Sequence, residues 1–259
     1  MPPILLHLYG PFAIHTFGVM IALGLIIGLY FLHQDPPLQK LISNQQLANL
    51  FQISFIAGIA GGRIWFVITN QSLFSNWIDS FMIWNGGLSI LGAIIAIIIT
   101  LSIYFYRLNL PTLKILDRIA LYAPLTYSIS RLGCFYAGCC HGKITSLPWS
   151  VMYTDPDHLA PLYVHLHPTQ IYSCILLLSI FLLLLYFDKN YKHKKPGQIF
   201  ALFIMLMSFD RFFIDFLRGD QEFIMQSGIL SCLSIQQALA LCLSIGACII
   251  MTFISIHKK

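Results

Sequence analysis

Charged side chains are scarce in this sequence of 259 residues, since only 10% of them are Asp, Glu, Lys or Arg while 58% are hydrophobic. A soluble domain carries about 25% charged residues, so this chain has too little charge to cover a surface that faces water. The composition excludes a soluble globular protein. It predicts an all-α protein that crosses the lipid bilayer several times and has no nucleic-acid partner.

Two further features are missing. The first seventeen residues contain no Lys or Arg that could form the basic region of a secretory signal, so we expect no cleaved signal peptide. The seven cysteines are too few and too scattered for a disulfide scaffold. Four of them lie in or beside apolar runs, where a small buried thiol is the usual role: Cys174, Cys232, Cys242 and Cys248.

Seven apolar runs are long enough to cross a bilayer, which takes about 20 mostly apolar residues. They cover residues 12–33, 46–69, 86–106, 115–136, 168–188, 197–217 and 233–256. The fourth and sixth runs contain charged residues, so hydropathy alone ranks them lowest. We expect a single integral membrane domain over residues 1–259, with a long outer loop at 137–167.

The distribution of Lys and Arg predicts the orientation of these spans. Ten positive charges fall on one side: Lys40, Arg107, Lys114, Arg118, Lys189, Lys192, Lys194, Lys195, Lys258 and Lys259. Only Lys143 and Arg218 fall on the other side. Because cytoplasmic loops carry the excess of positive charge, the N-terminus is expected outside and the C-terminus in the cytoplasm.

Three other arginines lie near the outer ends of their spans: Arg63, Arg131 and Arg211. A charge left at the bilayer centre costs at least about 2.5–3.5 kcal/mol. One such arginine can reach the headgroups, but three at one depth favour an internal site for an anionic ligand. Guanidinium groups suit this role because they bind phosphate oxygens with two parallel hydrogen bonds.

Span six places Arg211, Asp215 and Arg218 on one helical face. A carboxylate between two arginines can hold both of them in place. An ion-pair ladder without a ligand is the alternative. At the start of span five, Pro168 suits the first helical turn, and we expect the polar residues that follow it at the membrane surface. His167 before them is a ligand, a base or an interfacial residue.

Six segments, in order and at matching separations, resemble the prolipoprotein diacylglyceryl transferases over about residues 9–220: YGPFAIHTFGVM, AGGRIWFV, WNGGLSILGA, SRLGCFYAGCCHG, HPTQIY and DRFFIDFLRGD. The resemblance implies a seven-spanning enzyme of the bacterial inner membrane, with its active site facing the outer leaflet. Such an enzyme moves a diacylglyceryl group from phosphatidylglycerol to the lipobox cysteine thiol of a preprolipoprotein, which it recognises by its signal peptide. The resemblance implies neither a cofactor nor a metal.

The same resemblance implies roles for individual residues. Arg131 and Arg211 are expected to be catalytic, because they match the arginines that grip the phospholipid phosphate and stabilise charge as glycerol-1-phosphate leaves. Substrate binding is expected of residues at other motif positions: Arg63, His15, Gly86, Gly87, His167, Gln170, Tyr172, Asp215 and Arg218.

Several positions depart from the family pattern. Leu91 stands where the family has a histidine that is proposed as a base or substrate anchor, and Phe17 replaces a tyrosine. Cys134 replaces an asparagine, while Cys139 and Ser173 each replace an acidic residue. The phosphate-binding part is therefore present and the proton-handling part is altered. The candidates for a base or thiol role are His141, Cys134, Cys139 and Cys140, with His15 and His167 as further bases.

Two other functions stay open. An outer-face thiol redox or metal protein would use the cysteines with His141, His165 and His167, since thiols and imidazoles bind zinc or copper. However, C-x4-C-C-H is not a standard zinc spacing, adjacent Cys139 and Cys140 do not easily bind one ion, and a disulfide or simple packing is a simpler explanation. A divergent paralogue that only binds or transports an anionic lipid would also need buried charges near a cavity.

Overall fold

The computed structural model describes residues 3–9, 12–71, 81–82, 86–191, 195–221 and 234–256. Its elements in chain order are β1 (Ile4–Tyr9), β2 (Phe12–His15), α1 (Thr16–His33), α2 (Pro36–Gln39), α3 (Asn44–Thr69), α4 (Ile90–Arg107), α5 (Thr112–Ala137), β3 (Val151–Met152), β4 (His165–Leu166), α6 (Thr169–Asn190), α7 (Gln198–Leu217) and α8 (Ile235–Ile256). Cys232 and four of the predicted cytoplasmic lysines lie outside the described residues: Lys192, Lys194, Lys258 and Lys259.

The long helices agree with the predicted spans. Within the described ranges, the helices of 18 or more residues are α1, α3, α4, α5, α6, α7 and α8, and each overlaps one predicted span. Five of them, α1, α3, α4, α6 and α8, are long and apolar enough to cross a membrane. The protein is therefore an all-α, multi-pass membrane protein. The seven-span topology and its orientation stay predictions.

The starts of the first and third spans differ from the prediction. Residues 12–15 form strand β2, which pairs antiparallel with β1, so helix α1 begins only at Thr16. Helix α4 begins at Ile90 rather than at 86, because Gly86 and Gly87 both have a φ of 80°, which a right-handed helix does not allow. An apolar run by itself does not distinguish a short strand or turn from a helix.

The chain divides into two compact units, Pro36–Ile115 and Met1–Asp35 with Leu116–Lys259. In the smaller unit, α3 packs closely against α4 through small residues. A Cβ atom at Gly61 would overlap the Cβ of Ala96 and lie 2.7 Å from the carbonyl oxygen of Gly92. In a bilayer such close packing replaces the hydrophobic effect as the force that joins helices.

In the larger unit, a buried ion-pair cluster joins the end of α1 to α5 and α6. The guanidinium of Arg118 donates to Asp35 Oδ2 at 2.6 Å and to both carboxylate oxygens of Asp188 at 2.9 Å. The Tyr122 hydroxyl donates to Asp35 at 2.8 Å. Arg118 therefore binds three segments of the chain to one another.

Candidate active site

The chain makes a sharp turn directly after α5, in residues 138–142, which we call the cysteine turn. Gly138 and Cys140 have φ values of 73° and 56°. A left-handed conformation costs roughly 1–2 kcal/mol for a residue other than glycine, so Cys140 needs support from its surroundings. Two side chains at the start of α6 supply it: Thr169 Oγ1 donates to the Cys140 carbonyl at 2.7 Å, and Gln170 Nε2 donates to the Cys139 carbonyl at 2.8 Å.

The expectation that the polar residues after Pro168 lie at the membrane surface is wrong for two of them. Thr169 and Gln170 are each only 1% exposed, because their side chains bind the backbone of the cysteine turn. Tyr172 is half-buried, and its hydroxyl accepts a hydrogen bond from Trp149 at 2.7 Å. His167 Nδ1 lies 3.4 Å from the same hydroxyl. The substrate-binding roles of Gln170, Tyr172 and His167 stay predictions.

The cysteine turn brings three sulfur atoms together. The Sγ atoms of Cys134, Cys139 and Cys140 all lie within 4.8 Å of one another, and each residue is a half-buried free thiol. The expectation that adjacent Cys139 and Cys140 do not easily bind one ion stays untested, although the turn brings both sulfur atoms close to Cys134. The left-handed backbone at Cys140 allows both sulfurs to approach Cys134.

The surroundings of the cysteine turn shift the pKa values of Cys139 and Cys140 in opposite directions. Hydrogen bonds from Cys134 and Cys139 lower the pKa of the Cys140 thiol, and the positive charges of Arg218 and Arg131 lower it further, although burial acts in the opposite direction. The hydrogen bonds of Cys139 to the other two thiols, together with burial, raise its own pKa.

The segment after the cysteine turn pairs with the end of α7. Lys143 N donates to the Leu217 carbonyl at 2.8 Å, and Gly219 N donates to the His141 carbonyl at 3.0 Å. Gly142 lies between two backbone segments of the protein. A Cβ atom at Gly142 would be 2.6 Å from the His167 carbonyl oxygen and 3.0 Å from the Leu217 carbonyl oxygen. This pairing places the C-terminal end of α7 beside the thiols.

Arg211 and Asp215 share one face of α7 as predicted, whereas Arg218 lies just after the helix, in an extended conformation rather than on the same helical face. Asp215 Oδ1 lies 3.6 Å from Arg211 Nη2 and 3.9 Å from Arg218 Nη1, which confirms that the carboxylate stands between the two arginines. The Ser234 hydroxyl donates to the other oxygen of Asp215. Arg218 also makes two parallel 2.9 Å hydrogen bonds to Asp220. The guanidinium of Arg218 is thus paired with carboxylates. The side chain of Arg211 is 27% exposed.

Arg131, on α5, is the most deeply buried of the predicted catalytic residues. It is 4% exposed, and its guanidinium carbon lies 4.6 Å from the centre of the Tyr127 ring. Its Nε–H has no hydrogen-bond partner among the residues that the structure describes. Burying a guanidinium is unfavourable unless anionic acceptors surround it, so this position is suited to an anion.

Sequence reasoning did not identify Asp210. This buried residue on α7 interacts electrostatically with Arg131 and Arg211, and both of its carboxylate oxygens accept from the Ser173 hydroxyl at 3.1 Å. Ser173 stands where the family resemblance has an acid. Asp210 on α7 therefore places a carboxylate next to Ser173. The acidic residue that opens DRFFIDFLRGD was the available signal.

Arg211 is one of the residues that line an apolar groove. The groove has a volume of about 330 Å³ between α7 and α8, and Met207, Leu239 and Leu243 contribute to its walls. A groove with mostly apolar walls that also include an arginine suits a molecule with an acyl chain and an anionic head.

In the smaller unit, the structure brings together Arg63, Gly86 and Gly87, three residues for which the resemblance implies substrate binding. Arg63 Nη1 donates to the carbonyl of Gly86 at 2.6 Å and to that of Gly87 at 3.0 Å, and Nη2 donates to Met82 at 3.1 Å. These bonds hold the turn before α4. Leu91 on that helix is 54% exposed. A common site for Arg63, Arg131 and Arg211 stays a prediction, as does the role of the exposed His15.

Comparisons with known proteins identify the family of this chain. A family model described as "Prolipoprotein diacylglyceryl transferase" matches residues 3–253. The chain is 35% identical to the phosphatidylglycerol–prolipoprotein diacylglyceryl transferase of Clostridium tetani over 244 residues, which are 93% of each chain. It is 33% identical to the protein of that name from Clostridioides difficile, over 94% of this chain and 92% of the relative. A protein of the same name from Ligilactobacillus salivarius is 31% identical over 95% of this chain and 90% of its own length. The chain belongs to the prolipoprotein diacylglyceryl transferase family.

Proposed function

We propose that this protein transfers the diacylglyceryl group of phosphatidylglycerol to the lipobox cysteine thiol of a preprolipoprotein. Family membership supports the reaction. The buried guanidinium of Arg131, whose Nε–H has no partner among the described residues, is the observation that carries the assignment of the site.

In this reaction the acceptor thiolate attacks the glycerol carbon that bears the phosphate. The carbon–oxygen bond breaks, a thioether forms, and glycerol phosphate leaves with the electron pair and one additional negative charge. Arg131 and Arg211 are the residues we assign to stabilise that charge, because fixed donors act most strongly where water is excluded. Asp210, held by Ser173, positions the two guanidinium groups.

The groove that Arg211 lines, between α7 and α8, is the place we propose for an acyl chain of the lipid. Asp215 keeps Arg211 and Arg218 apart and oriented. The Lys and Arg distribution supports a seven-span topology with the N-terminus outside, in the bacterial inner membrane, so that this site opens to the outer leaflet. There it would meet phosphatidylglycerol and the signal peptide of a preprolipoprotein.

A transfer assay with purified protein tests the proposal. The full chain is incubated with phosphatidylglycerol and a lipobox peptide, and the thioether product is measured by mass spectrometry, with a peptide that carries Ser in place of Cys as the negative control. Arg131→Ala and Arg211→Ala should each reduce kcat by about 100–1,000-fold, the usual loss when one donor to a developing charge is removed.

Arg107→Ala is the matched control, because Arg107 is an exposed arginine at the end of α4 and should leave the rate unchanged. If the unmodified chain forms no thioether, the transferase function is refuted. If both site variants keep full activity, the function stands but the assignment of Arg131 and Arg211 is wrong.

A further inference from the structure

The cysteine turn contains a group of side chains that the phosphate site does not use. Cys134, on the last turn of α5, and the adjacent Cys139 and Cys140 place three sulfur atoms within 4.8 Å of one another. Sulfur ligands on a tetrahedral ion at the usual Zn–S distance of about 2.3 Å lie roughly 3.8 Å apart, so small side-chain movements suffice to bind one ion.

The turn is built to hold this geometry. The left-handed backbone at Cys140 is what allows adjacent cysteines to approach the same point. The Thr169 and Gln170 side chains bind the carbonyl groups of Cys140 and Cys139, and both are buried. An unfavourable backbone conformation that is fixed by buried hydrogen bonds is typical of functional sites.

The charges around the thiols also suit a metal–thiolate centre. A zinc ion with three thiolates has a net charge of −1, and a fourth thiolate would make it −2. Arg131 and Arg218 both interact electrostatically with Cys140, so the negative charge of such a centre would lie near positive side chains. The three cysteines are half-buried rather than enclosed, which leaves a side from which a fourth ligand can approach.

A metal–thiolate centre would also supply a step that the proposed reaction needs. The acceptor thiol must lose its proton before it attacks carbon, and Leu91 occupies the position where the family has a histidine. Three protein ligands with one open position is the arrangement of catalytic zinc sites, and a thiol that coordinates the metal is deprotonated outright.

We propose that Cys134, Cys139 and Cys140 bind one Zn²⁺ ion whose fourth position takes the lipobox thiol of the acceptor. This inference rests on the proposed transferase function. The acceptor thiol binds as thiolate and releases its proton to solvent. Its sulfur then forms a bond to the glycerol carbon, the carbon–oxygen bond breaks, and glycerol phosphate leaves with the electron pair. The thioether product is a weaker zinc ligand and dissociates. No electron is gained or lost by the metal.

Metal analysis of the purified full chain tests the site without relying on activity. Protein expressed in zinc-supplemented medium should contain about one zinc per chain. Cys134→Ser, Cys139→Ser and Cys140→Ser should each lower the zinc content at least tenfold, whereas Cys242→Ser, a change at an exposed cysteine on α8, should not alter it. A zinc content that is negligible, or equal in all four variants, overturns the proposal, as does a cysteine-cluster disulfide found by counting thiols under non-reducing conditions.

Cobalt tests the fourth position. Co²⁺ in place of zinc should show sulfur-to-cobalt charge-transfer absorption, and a lipobox peptide should increase it, while the same peptide with Ser in place of Cys should not. A cobalt spectrum that does not change with the Cys peptide refutes acceptor binding at the metal.

The transfer assay separates this inference from the function on which it rests. The transfer assay is repeated with zinc-free protein in the presence of a chelator. If the thioether still forms at the full rate, the proposed metal site is refuted and the transferase function stands. If the protein contains about one zinc per chain and the cobalt spectrum changes with the Cys peptide, but no thioether forms, the metal site is supported and the transferase function is refuted.

Discussion

The Tyr127 ring should contribute measurably to the activity of Arg131. Tyr127 precedes Arg131 by one helical turn on α5, and the guanidinium carbon lies 4.6 Å from the ring centre. A cation–π contact of this kind is worth about 0.5–1 kcal/mol at exposed sites and about 2 kcal/mol when desolvated. Arg131 is 4% exposed and Tyr127 is 36% exposed, so we take about 1 kcal/mol as the contribution. Tyr127→Leu should therefore lower kcat/KM for diacylglyceryl transfer roughly fivefold.

Tyr127→Phe is the matched control, because it keeps the aromatic face and removes only the hydroxyl group. It should change kcat/KM by less than about twofold. Both variants are assayed with purified protein, phosphatidylglycerol and a lipobox peptide, and membrane insertion is checked in parallel. If Tyr127→Leu keeps full activity, or if Phe and Leu are equally impaired, the ring face does not support Arg131 and the reasoning fails.

Two further predictions concern stability, measured by thermal unfolding in detergent. Gly142→Ala should destabilise the protein by about 1–3 kcal/mol, because the new Cβ would collide with His167; Gly246→Ala, where nothing lies within 4 Å, should cause no loss, and equal effects would contradict the predicted collision. Arg118→Met should cost about 3–5 kcal/mol, because it removes the guanidinium that binds the buried carboxylate of Asp35 and the half-buried carboxylate of Asp188. Arg107→Met is its control at an exposed arginine, and similar unfolding temperatures for both variants would show that the cluster does not stabilise the fold.

Much of the helical framework could be predicted from apolar runs. A backbone in lipid must satisfy its polar groups internally, so a run of about 20 apolar residues forms a helix with few exceptions. Helices α3, α6 and α7 accordingly begin within two residues of the predicted spans. The prediction failed at residues 12–15, which pair with β1 instead, because strand pairing depends on a second segment that an apolar run does not reveal.

At the candidate site, too, contacts within one helix could be predicted from the sequence, whereas contacts between distant segments could not. Arg211 and Asp215 lie one turn apart on α7, so their helical spacing alone predicted this contact. Arg218 follows the last residue of α7 in an extended conformation, so helical spacing does not account for its contact with Asp215.

The contact of Ser173 with Asp210 joins residues that are distant along the chain, and the helical period contains no information about it. The three thiols are close in sequence, yet their convergence depends on the left-handed backbone at Cys140 and on the support from α6. Local periodicity predicts contacts within one helix, whereas the meeting of α5, α6 and α7 depends on how whole helices pack, and that packing creates the surroundings of Arg131 and of the cysteine turn.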